Sequence, residues 1–281
     1  MATTPISQLQ KYVNLVRRFS SRKRILCVGD SWFQYPLKRY GDLQTGVSSR
    51  LSGVAESLDD SYPGRDADEI PGLIGRWRGI ASDLGGRLDR PFDLILVSLG
   101  GNDVIGKDFA PSLKRIHDAS PRIAWPWAPT MRAVVHDHIR LDRLKFAFDR
   151  IDAAYRLLRT LRDDFAPGAT LMSHTYADVM PMNRAYQFLG MRSGPWLWQP
   201  MSDVGLVDPA KQRELARWLL ASFAGLLRSL AAERPGFFVL DTRLELSGAA
   251  HWDNEIHPTR QGFSDLVTRH WMPAVRRALR V

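Results

Sequence analysis

The chain has 281 residues, 44% of them hydrophobic and 25% charged, a globular composition long enough to bury its own core without staples. Its single cysteine, Cys27, excludes an internal disulfide and suits a reducing compartment, and no uninterrupted apolar run of the ~18 residues needed to span a bilayer is present. The formal charge of +9 favours anionic partners, but the excess is mostly scattered arginine, with Arg22-Lys23-Arg24 and Arg276-Arg277 as short clusters and no nucleic-acid motif beside them.

Helical spacing of Ile6, Leu9, Val13 and Val16 predicts an amphipathic helix over residues 6–19, within an N-terminal segment 1–22 that docks on the domain's own surface. The opening lacks a basic stretch followed by an apolar core and a cleavage site, so a cytoplasmic protein with no integral membrane association is expected. Arg24-Ile25-Leu26-Cys27-Val28-Gly29 reads as a buried parallel strand. A second apolar segment near Val54 to Leu58 runs into the turn Ser61-Tyr62-Pro63-Gly64, and a helix is predicted over 67–88. Phe92 to Leu99 is the clearest strand, leading directly into Gly100-Gly101. A long helix over 136–165 keeps Leu141, Leu144, Phe148, Ile151, Tyr155 and Leu158 on one face. Then follow a strand at 169–174, a helix at 209–232, a strand at 236–240 and a last helix at 259–279. Strands alternating with helices predict a parallel sheet covered on both faces, built as one domain over residues 1–281. Two segments, 104–135 and 178–207, break the rhythm and are rich in Pro, Trp and Met.

Chemistry-bearing residues cluster where this pattern ends its strands. Gly29-Asp30-Ser31 follows the first strand, Gly64 the second and Gly100-Gly101-Asn102-Asp103 the third, while Asn254-Glu255-Ile256-His257-Pro258 precedes the last helix. In a doubly wound sheet, ligands bind beyond the carboxyl ends of the strands, where the strand order reverses. With the order 2-1-3-4-5, the loops bearing Ser31, Gly64 and Asn102 are neighbours there. These residue types suit acyl transfer. A serine hydroxyl needs a base, histidine has the right pKa, and a backbone N–H beside a glycine with an asparagine amide can hold an oxyanion.

In order and spacing the four blocks resemble those of the SGNH (GDSL-like) hydrolase family, over residues 24 to 275. The resemblance implies a flavodoxin-like three-layer α/β/α sandwich with a parallel five-stranded sheet of order 2-1-3-4-5. It further implies hydrolysis of esters or related acyl bonds, without a metal or organic cofactor. By motif position Ser31 would be the nucleophile and His257 its base, with the Ser31 backbone N–H, Gly64 and Asn102 forming the oxyanion hole. The family usually carries aspartate three residues before the histidine, and Asn254 stands there instead. Asn254 could orient the imidazole through its carbonyl without supplying a countercharge; Asp253 is the alternative if the loop turns it inward. Trp32 replaces the leucine of the GDSL name.

Elsewhere Cys27 reads as a small buried hydrophobe. His136-Asp137-His138, and His251 with Asp253, lack a full set of ligands at recognised spacing, so no metal site is expected; His117 and His174 read as ordinary polar residues. Asp30 and Asp103 are expected to bond loop backbone. Trp125, Trp127, Trp196 and Trp198 either build a satellite core or wall an apolar pocket above Ser31. The expected function is a carboxylester hydrolase, an esterase or lipase acting on small or lipid-like acyl or acetyl esters. A catalytically silent module that keeps the fold, and a basic nucleic-acid or membrane-surface binder, are the alternatives.

Overall fold

The computed structural model describes residues 6–35, 41–73, 76, 79, 92–106, 109–121, 123, 125, 127, 129–188 and 191–281. Helix α1, Ile6–Arg18, buries Tyr12, Val13 and Val16 against the domain and packs beside the sheet's edge strand β2. Strand β1, Lys23–Gly29, is buried from Ile25 onward, as its unbroken apolar run requires of a strand covered on both faces. Helix α2, Leu43–Arg50, starts where the Asp42 carboxylate accepts the Thr45 N–H at 2.6 Å. Strand β2, Ala55–Ser61, and strand β3, Leu94–Ser98, flank β1 in parallel register, with Leu26 between Leu58 and Ile95. Between them Ala67–Gly72 is a 3₁₀ turn, and most of the helix predicted over 67–88 lies outside the described residues.

Helix α3, Gly101–Ile105, leaves β3 through Gly100, whose φ of 100° belongs to the left-handed region. A Cβ at Gly100 would also come within 2.6 Å of the Phe223 ring, so glycine is required twice over. The helix predicted over 136–165 is broken. Ala133–His138 forms a short helix, Ile139 is extended and bridges Leu113, and helix α4 then runs Leu141–Phe165. The break arises from long-range pairing: Lys114 N–H donates to the His138 carbonyl and Arg140 N–H to the Ser112 carbonyl, which pulls the chain off the helical path.

Strand β4, Thr170–His174, pairs with β3. Segment 178–207 is more regular than predicted: it holds a hairpin, β5 Tyr186–Phe188 against β6 Met191–Ser193, and helix α5, Trp198–Asp203. Helix α6, Pro209–Glu233, begins at Asp208, whose carboxylate accepts the Ala210 N–H. Among the described residues α6 is the helix long and apolar enough to cross a membrane, yet 61% of its apolar window is buried inside the fold, where Leu219, Phe223 and Leu226 meet the core. Strand β7, Phe237–Leu240, closes the sheet. Helices α7, Arg260–Leu266, and α8, Met272–Leu279, are joined by a π turn at Val267–Trp271 into one almost continuous final helix.

The five parallel strands lie in the order β2-β1-β3-β4-β7, which is the predicted 2-1-3-4-5 once the separate hairpin is set aside. Helices sandwich the sheet: α2 packs with α7 and the π turn, and α4 packs with α6. The order reverses beside β1, so the turns after β1, β2 and β3 meet at one end.

Candidate active site

Each strand-end turn is fixed by its own polar groups. Beyond β1 the Asp30 N–H donates to the Ser98 carbonyl, extending the β1–β3 ladder by one residue. The Asp30 carboxylate accepts the Trp32 N–H at 3.0 Å, while Phe33 and Gln34 N–H donate to the Asp30 carbonyl. This tight turn holds Ser31 over the strand end, as aspartate beside a turn is suited to do.

After β2, Gly64 adopts φ +82°, a second reason for glycine besides the open space that the sequence suggests. The Gly64 turn is tied to α3 twice. Asn102 Nδ2 donates to the Arg65 carbonyl at 3.0 Å, and Ala67 N–H donates to the buried Asp103 carboxylate at 2.9 Å. Asp103 also pairs with Arg150 at 3.2 Å, and burial pushes its carboxyl up to about 7. An amide NH₂ has two donors, so one Asn102 N–H positions the Gly64 turn and the other is available to a ligand.

The loop before α7 closes on itself. Asp253 N–H donates to the His257 carbonyl, and Trp252 and Pro258 form an antiparallel bridge. Inside the loop Asn254 Oδ1 accepts the Ile256 N–H at 3.1 Å and the His257 N–H at 3.0 Å. It also lies 3.1 Å from His257 Nδ1. Two of these three groups are backbone donors, so the oxygen end of the amide must face them and the Nδ1–H tautomer follows. His257 Nε2 is then a lone-pair nitrogen, and it lies 2.8 Å from Ser31 Oγ. Burial lowers His257 to about 3, which keeps the ring neutral and proton-accepting.

Ser31, Asn254 and His257, 226 residues apart at their extremes, are thus brought into one hydrogen-bonded line. Trp32 Nε1 locks the two loops together by donating to the Ile256 carbonyl at 3.1 Å. Asp253 is not beside the imidazole: its Oδ2 accepts the Tyr35 hydroxyl at 2.9 Å.

The line opens into a cavity of about 300 Å³ whose walls include Ser31, Gly64, Asn102, His257, Tyr186 and Trp196. Trp196 meets the His257 ring edge-on, with centroids 5.8 Å apart. The four predicted tryptophans therefore divide. Trp196 is a pocket wall. Trp125 and Trp127 are not; they pack with each other, with Phe148 and, through Trp125, with Trp218 in a satellite core. Trp198 does not line the cavity either; its backbone N–H at the start of α5 donates to the Glu255 carboxylate at 2.9 Å.

Several polar groups at the site make contacts that the sequence pattern does not reveal. Glu255, fully buried, accepts the N–H groups of Leu197 and Trp198 and so fastens the Trp196 segment to the His257 loop. Burial pushes its carboxyl up to about 7 against a further hydrogen bond from the Met182 N–H. Beneath Ser31, the Asp30 carboxylate accepts Tyr176 Oη at 2.5 Å and Ser98 Oγ at 2.9 Å. His174 Nε2 lies 3.0 Å from the same Ser98 hydroxyl, so His174 is part of a buried network rather than an ordinary polar residue. Burial lowers His174 to about 3 and raises Asp30 to about 6, the hydrogen bonds to its carboxylate opposing the latter shift. Cys27 is buried in β1, and burial holds its thiol well above the ordinary range. At the surface His136 pairs with Asp137, and His251 with Asp265 rather than Asp253.

No family model and no curated relative matches the sequence. Among solved structures the chain is similar to an extracellular lipase from Streptomyces rimosus, at 13% identity over 91% of this chain and 99% of that one, with a TM-score of 0.49. It is similar to phospholipase A1 from Streptomyces albidoflavus NA297, at 13% identity over 92% and 99% of the two chains, TM-score 0.49. It is also similar to a carbohydrate esterase family 3 structure from Talaromyces cellulolyticus, at 11% identity over 92% and 98% of the two chains, TM-score 0.46.

Proposed function

We propose that the chain is a serine hydrolase of carboxylic esters that works through an acyl-enzyme on Ser31. The observation that carries this reading is the line Ser31 Oγ, His257 Nε2, His257 Nδ1, Asn254 Oδ1, with contacts of 2.8 and 3.1 Å, at the mouth of a cavity that also holds Gly64 and Asn102. Ser31 Oγ attacks the ester carbonyl carbon while its proton passes to His257 Nε2. The carbonyl oxygen becomes an oxyanion, received by the second Asn102 N–H together with the backbone N–H groups of Ser31 and Gly64. Collapse breaks the bond to the alcohol oxygen, which leaves with the proton from His257. Water then repeats the sequence, releasing the acid and restoring Ser31.

Trp196, Tyr186, Val179 and Ile105 make the cavity wall largely apolar, which supports an uncharged acyl group, lipid-like or short. The test is a panel of p-nitrophenyl esters from acetate to palmitate with Ser31→Ala as control. Turnover should fall by about 10⁴-fold or more in the variant, because serine and base act as a unit. Equal turnover by the two proteins would overturn the assignment.

A further inference from the structure

The base of this site lacks a carboxylate neighbour, and its hydrogen bonds do not stop at Asn254. Because Asn254 Oδ1 faces two backbone N–H groups and His257 Nδ1, its NH₂ end must point the other way. There Nδ2 donates to Tyr35 Oη at 3.3 Å. With its oxygen accepting from Asn254, Tyr35 directs its own O–H to Asp253 Oδ2, 2.9 Å away. Each donor therefore points in the same sense: Ser31 to His257, His257 to Asn254, Asn254 to Tyr35, Tyr35 to Asp253. Tyr35 and Asn254 are both buried, so the middle of the chain is shielded from water, while Asp253 at its far end is partly exposed. Tyr35 is held in place by its ring, which lies 4.6 Å from the His257 ring and 5.9 Å from that of Tyr186. Burial and the neighbouring carboxylate both push the Tyr35 hydroxyl above its ordinary range, which keeps it a donor.

We propose that Tyr35 and Asp253 are positioning residues that pass the influence of a carboxylate to His257 through the Asn254 amide. The relay supplies, two side chains away, the negative end that an aspartate at position 254 would supply directly. Hydrogen bonds aligned in one sense polarise one another, so positive charge developing on the imidazole strengthens every link down to Asp253. The arrangement also uses both residues of the Asp253-Asn254 pair, one as the contact and the other as the charge. On the far side of the loop Arg184 donates to the Asp253 carbonyl rather than to its carboxylate, leaving the latter's Oδ2 to Tyr35.

The inference rests on the hydrolase reading, and its experiment separates the two. Values of kcat and KM on p-nitrophenyl butyrate are compared for wild type, Tyr35→Phe, Asp253→Asn and the double variant, each also in an Asn254→Asp background. Each single change should lower kcat about tenfold with KM nearly constant, and the double variant should be no worse than either, since both cut one chain. In the Asn254→Asp background the loss from Tyr35→Phe should shrink to within about twofold, because a carboxylate then contacts the imidazole directly. Multiplying losses in the double variant, undiminished loss in that background, or unchanged kcat in the singles would each overturn the relay. A readout independent of turnover is the Nδ1–H proton resonance of His257 in the full-length protein. Tyr35→Phe and Asp253→Asn should both move it upfield. Were wild type to show no ester turnover while that resonance still moved, the hydrolase reading would fall and the relay would stand.

Discussion

Replacing Asn254 with aspartate places a charge where the fold has only a dipole, and the structure fixes both the gain and the cost. Burial lowers His257 from 6.5 to about 3, so forming the imidazolium in place costs roughly 5 kcal/mol more than in water. A carboxylate oxygen at the Asn254 Oδ1 position would lie about 3.1 Å from His257 Nδ1. At an effective dielectric near 20, such a contact is worth about 4 to 5 kcal/mol. Against it stands the lost Asn254 Nδ2 donor to Tyr35, together with a second carboxylate near Asp253 competing for one tyrosine proton, at about 1–3 kcal/mol. Those costs fall on both protonation states and so lower stability rather than the shift; the contact, less the amide dipole it replaces, should raise the imidazole pKa by about 1.5 units or more, ~2 kcal/mol. The sign follows from the base role: kcat/KM requires neutral His257, whose lowered pKa puts the wild-type acid limb well below pH 6.5. Asn254→Asp should move that limb to higher pH by about the same 1.5 units and raise kcat on the plateau about tenfold. The assay is kcat/KM on one activated ester from pH 4 to 9, with thermal stability followed alongside. The wild-type limb near pH 3 lies below this range, so a folded variant whose kcat/KM shows no acid limb entering it would refute the claim that His257 acts through its Nδ1 contact with residue 254.

Asn102→Ala should lower kcat by about 10²–10³ with little change in KM, since the amide is needed mainly for the oxyanion. Because the same amide holds the Arg65 carbonyl, a small fall in thermal stability should accompany the loss, and a KM effect alone would mean that Asn102 binds ground-state substrate. Glu255→Ala leaves the Leu197 and Trp198 N–H groups buried without their acceptor, a loss of about 1–3 kcal/mol for each. Chemical denaturation should report that loss, and KM for longer acyl esters should rise as Trp196 loses its anchor; an unchanged unfolding midpoint would show that the carboxylate does not fasten this segment.

Sequence order carried the sheet and the main contact line because each depends on short-range signals. Unbroken apolar runs such as Leu94–Ser98 mark parallel strands, and glycine, serine, asparagine and histidine at strand ends mark where a reacting group can sit. What stayed hidden depends on contacts between distant residues. Tyr35 meets Asp253 across 218 positions, and nothing in the local pattern around either distinguishes it from a surface residue. The tryptophans show the same limit. Trp125 and Trp196 both stand in Pro-rich segments without periodicity, yet one finds Phe148 and the other finds His257, and the choice is made by packing. His174 was legible as the end of a strand but not as a partner of Ser98, since only the β3–β4 register brings them together. At Ile139 a helical pattern was overruled by a bridge to Leu113, tertiary pairing outweighing local propensity.

The disposition of charge around the cavity bears on what the basic surface is for. Three carboxylates stand close to the hydrogen-bonded line of Ser31, His257 and Asn254: Asp30 beneath Ser31, Asp253 behind Tyr35, and Glu255 behind the Trp196 segment. All three accept from hydroxyl or backbone N–H donors, and no arginine or lysine lines the cavity among the described residues. A ligand headgroup carrying negative charge would meet Trp196, Tyr186 and Val179 there, with no cation to offset its desolvation. The excess of +9 is carried elsewhere, on groups such as Arg276 and Arg277 at the exposed face of α8 and Arg280 just beyond it. Charge on the surface can therefore steer or hold an anionic partner at long range, while the cavity lining, on the proposed hydrolase reading, favours an uncharged acyl group.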